Sequence, residues 1–94
     1  MAEPRIRAGV VGVGHMGQYH ARVYAELWDV DLVGVADIDR DRAAAVAAHY
    51  DTHAFGDHRD LIGRVDVASV AVPTEQHYHV ARDLLEAGIG VLVE

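Results

Sequence analysis

Ile6-Arg7-Ala8-Gly9-Val10-Val11-Gly12-Val13-Gly14-His15-Met16-Gly17 is the stretch that decides the fold. Ile6 to Val11 is a short, mostly apolar run with β-branched residues, which reads as a buried strand. It passes directly into the pattern Gly-x-Gly-x-x-Gly. Beyond it the period changes. Met16, His20, Val23, Tyr24 and Leu27 recur at three- and four-residue spacing, which is one face of a helix. A strand, a glycine-rich turn and a helix in that order open a βαβ unit.

Outward from this stretch, strands and helices alternate. Val30 to Ala36 reads as a second strand ending at Asp37. Asp39 is placed to cap a helix from Arg40 to about Tyr50, with Ala43, Val46, Ala47 and Tyr50 facing inward. Thr52 to Phe55 is a weaker third strand. Asp57 to Ile62 forms a short helix ended by Gly63, and Val65 to Val72 a strong fourth strand. Thr74 is placed to cap a helix to Ala87 that buries Val80, Ala81, Leu84 and Leu85. Gly88 supplies its left-handed end, and Val91 to Val93 begins a fifth strand. The alternation predicts an α/β fold: a doubly wound parallel sheet, Rossmann-like, truncated after the fifth strand. Residues 1–94 make one dinucleotide-binding domain, since the length allows a single core.

Composition narrows the function classes. Half of the residues are apolar, so a folded core is expected. The formal net charge of −7 offers no basic face to neutralise phosphates, which argues against a nucleic-acid partner. The chain has no Cys, which excludes disulfides and thiolate chemistry. Every basic side chain is Arg, so a Lys-dependent catalyst cannot be complete within these residues. No apolar run approaches the roughly 20 residues of a membrane helix. Met1-Ala2-Glu3-Pro4 carries no signal-peptide pattern, and a soluble cytoplasmic protein is expected.

The glycines have separate physical tasks. Gly12 permits a sharp turn where a Cβ would clash, and Gly14 permits close approach of a pyrophosphate. Gly17 lets the first helix pack tightly on the sheet. The amides of His15, Met16 and Gly17 then sit at a helix N-terminus, where the dipole favours an anion. Asp37 lies twenty residues past Gly17, the position from which a carboxylate accepts hydrogen bonds from a ribose diol. Its charge repels a 2′-phosphate, so NAD is expected over NADP; Arg40 and Arg42 soften that preference. FAD domains and methyltransferases share such a first turn, and the glycines alone leave those readings open.

The second half adds Val72-Pro73-Thr74-Glu75-Gln76-His77 at the end of the fourth strand, beside the point where the strand order of a doubly wound sheet reverses. With His20-Ala21, Leu85-Glu86-Ala87-Gly88 and Val93-Glu94, the chain resembles the glucose–fructose oxidoreductase, inositol dehydrogenase and rhizopine catabolism family, Gfo/Idh/MocA. The likeness spans nearly the whole chain and disfavours the FAD and methyltransferase readings. It implies an NAD-dependent oxidoreductase acting on a sugar, polyol or nucleotide-sugar alcohol, the last being the branch that looks closest. It implies that Gly12, Val13, Gly14, His15, Met16 and Gly17 hold the pyrophosphate, with Asp37 and Ile38 at the adenosine ribose. Val72, Pro73, Thr74 and His77 would lie along the nicotinamide side, and Glu94 near the nicotinamide ribose. In that family the last segment continues as Glu-Lys-Pro and a substrate domain follows. The resemblance therefore implies a fragment that is inactive alone, with no catalytic residue of its own. A non-enzymatic NAD(H)-binding module and a purely structural fragment are the alternatives.

The seven histidines do not form a metal pattern in sequence. His77 and His79 are two apart and diverge on a helix. Asp51-Thr52 separates His49 from His53, so no metal site is expected. His20 is read as a packing or hydrogen-bonding residue, and Tyr24 and Trp28 as packing residues. An edge strand and uncovered helix faces predict self-association, hence a homo-oligomer. Sedimentation velocity checks this, a concentration-independent monomer being the contrary result.

Overall fold

The computed structural model describes residues 5–94; Met1–Pro4, on which the reading of the N-terminus rests, lie outside the described residues. The elements run β1 (Ile6–Val11), α1 (His15–Glu26), β2 (Val30–Ala36), α2 (Arg40–His49), β3 (His53–Phe55), the 3₁₀ turn η1 (His58–Leu61), β4 (Val67–Val70), α3 (Thr74–Glu86) and β5 (Gly90–Val93). All strand pairs are parallel, in the order β3-β2-β1-β4-β5. This is the doubly wound Rossmann-like sheet, with β1 at its centre and the order reversing between β1 and β4.

Alternation along the central strands divides the core in two. Val10 and Val35 pack with Val13, Ala21, Val46 and Ala47, beneath α1 and α2. Val11, Ala36 and Val70 point the other way and pack with Leu61, Val80 and Leu84, beneath η1 and α3. The two helical layers therefore come from successive side chains of the same strands. Asp39 caps α2 as expected, its Oδ1 accepting from the Arg42 amide at 3.1 Å.

Some expectations are corrected. The fourth strand spans Val67–Val70, not Val65 to Val72. Val65 is buried by packing rather than by the ladder, and Pro73 has no amide with which to extend it. Thr74 is the first residue of α3 and not its cap. Pro73 holds that position with no side-chain cap hydrogen bond, and its carbonyl accepts from the Gln76 amide at 2.9 Å. Leu85 is exposed, because the buried stripe of α3 centres on Val80 and Leu84. On α1 the buried residues are Gly17 and Ala21, while Met16 and Leu27 are exposed. Trp28 is 83% exposed and packs into neither core, lying in the turn after α1.

Two glycines fix how α1 meets the sheet. Gly12 has φ +87°, and a Cβ there would lie 2.8 Å from the Ala71 backbone. A Cβ on Gly17 would overlap the carbonyl oxygen of Gly12. Gly17→Ala is therefore expected to destabilise the fold by about 1–3 kcal/mol or more, the cost of overpacking against backbone. Chemical denaturation measures this; unchanged stability would mean that α1 does not sit this close to the turn.

Candidate functional site

A cleft of about 540 Å³ opens at the C-terminal ends of β1, β2 and β4. Parallel sheets place ligand sites there because loops from both halves of the sheet diverge at the reversal point. Its floor is Val11, Ala36 and Ala71, and its walls come from the loops that follow.

The turn after β1 forms one wall. The Gly12 amide donates to the Ala36 carbonyl at 2.7 Å, which carries the chain across β2 before α1 begins. Gly14 is the N-cap of α1 and offers no side chain, so the first-turn amides have no side-chain cap. A Cβ built on Gly14 meets nothing within 4 Å, so the backbone there is open to close approach. Gln18 steadies the turn, its Nε2 donating to the Val13 carbonyl at 2.9 Å.

Asp37 forms the second wall and is 7% exposed. Its Oδ2 accepts from the Val13 amide at 2.9 Å and its Oδ1 from the Asp39 amide at 2.8 Å. Arg42 donates to the same two oxygens at 3.3 Å. Burial works to raise the carboxyl pKa. The amides of Val13 and Asp39, and then the Arg42 guanidinium, outweigh burial and hold it below the usual carboxylate range. Asp37 is thus an ionised group that ties the glycine loop to the end of β2, with Arg42 laid over its outer side.

Gly12, Gly14, Asp37, Ile38, Val72 and Pro73 all line this cleft. Val13 is buried and contributes its amide to Asp37 rather than a surface to the cleft. His15 and Met16 are exposed in the first turn of α1, and Gly17 is buried beneath it. Thr74, His77 and Glu94 do not line the cleft. His77 instead buries its Nε2 without a hydrogen-bond partner among the described residues. His20 donates or accepts at Ser69 Oγ, 2.9 Å away, and Ser69 in turn meets the Tyr24 hydroxyl at 2.6 Å. The far side of the His20 ring lies 4.0 Å from the Glu94 carboxylate, which places Glu94 at the other flank of β4.

The sequence reading misses the third wall. His58 and Arg59 of η1 and Gln76 and His79 of α3 also line the cleft. Their approach depends on η1 and α3 sharing one face of the sheet, which no local pattern announces.

Residues 6–94 match the family described as "Oxidoreductase family, NAD-binding Rossmann fold" (GFO_IDH_MocA). The chain is 42% identical over 89 residues to a UDP-N-acetylglucosamine 3-dehydrogenase of Acidithiobacillus ferrooxidans, covering 95% of this chain and 28% of that protein. A solved structure of the Acidithiobacillus ferrooxidans enzyme superposes with a TM-score of 0.90 at 40% identity, over 97% of this chain and 30% of that one. Inositol 2-dehydrogenase 3 of Saccharopolyspora erythraea is 37% identical over 94 residues, covering 95% of this chain and 27% of its own length. The structure of GenD2 from gentamicin A biosynthesis in complex with NAD gives a TM-score of 0.92 at 30% identity, over 97% of this chain and 27% of that one. The chain thus spans under a third of the length of these relatives.

The Asp37 arrangement has a pH consequence. Its folded pKa is depressed, so its stabilising contribution is complete above the unfolded carboxylate value, about 4. That contribution is lost as pH falls through the lower folded value. Asp37→Asn should lower stability at neutral pH and flatten the acid limb of a stability–pH curve. An acid limb unchanged by the substitution would show that other carboxylates carry it.

Proposed function

This chain belongs to the Gfo/Idh/MocA oxidoreductases, whose cofactor is NAD, and we propose that its cleft takes the adenosine diphosphate half of NAD(H) for hydride transfer at a sugar, polyol or nucleotide-sugar alcohol. The observation that carries this reading is the pairing of an open Gly14 turn with a buried, ionised Asp37 in one cleft. The first-turn amides of α1 and the helix dipole suit a pyrophosphate. Asp37 suits a ribose diol, since a carboxylate accepts from both hydroxyls and disfavours a 2′-phosphate. Arg42 must swing aside for the diol to reach Asp37, and its exposed position permits that.

When bound, NAD supplies the hydride acceptor. The residues of this chain bind and orient it. Pro73, Thr74 and His77 at the start of α3, and Glu94 after β5, are proposed to face its nicotinamide end. The proton-transfer and substrate-binding groups are proposed to come from residues beyond these, as in a protein of the relatives' length. A nucleotide sugar is the favoured substrate class, on the 42% identity to the UDP-N-acetylglucosamine 3-dehydrogenase.

Titration calorimetry with both cofactors tests the reading. NAD(H) should bind more tightly than NADP(H). Asp37→Ser should weaken NAD(H) by roughly tenfold or more, the worth of a charged hydrogen bond, and narrow the gap to NADP(H). Tighter NADP(H) binding by the unsubstituted chain would overturn the assignment of Asp37.

A further inference from the structure

Where η1 meets α3 at the rim of the cleft, the side chains of His58, His79 and Asp83 converge; the two histidines line the cleft and Asp83 stands beside them. His79 and Asp83 are four residues apart on α3 and share one face of that helix. His58 reaches them from η1, which Asp57 caps by accepting from the Arg59 amide at 2.8 Å. Leu61 and Leu84, both fully buried in one cluster, pack the two elements together. His58 Nε2 lies 2.8 Å from Asp83 Oδ2, and His79 Nε2 lies 3.8 Å from the same oxygen. One ligand atom from each residue falls within 4.8 Å of the others.

We propose that His58, His79 and Asp83 form a binding site for a first-row divalent transition ion such as Zn²⁺, cross-linking η1 to α3 at the rim of the cleft. Tetrahedral ligands at zinc bond lengths are about 3.3 Å apart. The two histidine–aspartate separations, 2.8 and 3.8 Å, each need to change by roughly half an ångström, and the two imidazole ligand atoms, within 4.8 Å of each other, need to settle at the same spacing. Two imidazoles and one carboxylate suit zinc, cobalt or nickel, whereas magnesium and calcium favour oxygen ligands. The Asp83 carboxylate is divided suitably: Oδ1 faces Arg82 at 3.5 Å and Oδ2 faces the histidines. Behind the His58 ring, Asp57 Oδ1 lies 3.6 Å from Nδ1, the side from which a carboxylate orients a metal-bound imidazole. The His58 and Asp83 side chains are only 11% and 18% exposed, while His79 is 61% exposed. Two shielded ligands and one open one leave an ion a route in and a free coordination position. His58 and His79 also line the cleft.

The test is titration calorimetry of the chain with ZnCl₂ at neutral pH, with circular dichroism to establish that each variant is folded. One equivalent should bind in the micromolar range, and the melting temperature should rise with zinc. His79→Asn removes a ligand at an exposed position, where the ring lies beside Asp83 and edge-on to the His58 ring, so the fold should survive. Its zinc affinity should fall by about tenfold or more, as should that of His58→Asn. Mg²⁺ in place of zinc should give neither heat nor stabilisation. The proposal is overturned if the unsubstituted chain takes up no zinc at submillimolar concentration. It is overturned equally if folded His79→Asn binds as tightly as before, which would put the ion on other histidines such as His49 or His53.

Discussion

The carbonyl oxygen of Gly12 occupies the space that any side chain on residue 17 would need. Much of the molecule follows from that contact. It seats the first turn of α1 directly over the end of β1, and the positive φ of Gly12 folds the turn against the Ala71 backbone after β4. The helix N-terminus, the end of β1 and the end of β4 are thereby brought to one place. That place is where the strand order reverses and where the cleft opens. The same closeness lets the Val13 amide reach Asp37, so that the turn is pinned from the β2 side as well.

Asp37 ties the glycine turn to the end of β2 through this pin. Each of its oxygens already serves a backbone amide, so its ionised form is part of the folded loop before any ligand arrives. Arg42 neutralises it from the solvent side. In an acidic chain with a net charge of −7, this pairing gives the buried carboxylate a countercharge. Arg42 also belongs to α2, the helix that Asp39 caps, so the position of the guanidinium depends on a properly started helix.

Features set by adjacent residues are legible in the sequence. Strand β1 follows from its β-branched run, the α1 start from the glycines, the α2 start from Asp39, and the sheet from the alternation of elements. Asp37 is legible too, because its distance from Gly17 is set by one helix and one strand. Features set by packing are not. Val65 and Val72 look like strand because they are apolar, yet burial and pairing are different things, and Pro73 ends the ladder early. Trp28 looks like core by type but falls in a turn. His58 on η1 precedes His79 and Asp83 on α3 by more than twenty residues, and they meet only once both elements cover the same face of the sheet. The neighbouring histidine pairs that spacing brings to notice are not the ones that converge.

The glycine turn and the α1 N-terminus are proposed to hold a pyrophosphate. Gly14 is where that proposal is most exposed to test, since its surroundings are open in the free chain and a branched side chain would fill only the space a ligand needs. Titration calorimetry of NADH into folded Gly14→Val, set against the unsubstituted chain, addresses this directly. NADH should bind the unsubstituted chain clearly and the variant not at all, with the fold retained by circular dichroism. Equal NADH affinity in the two proteins would contradict the proposal.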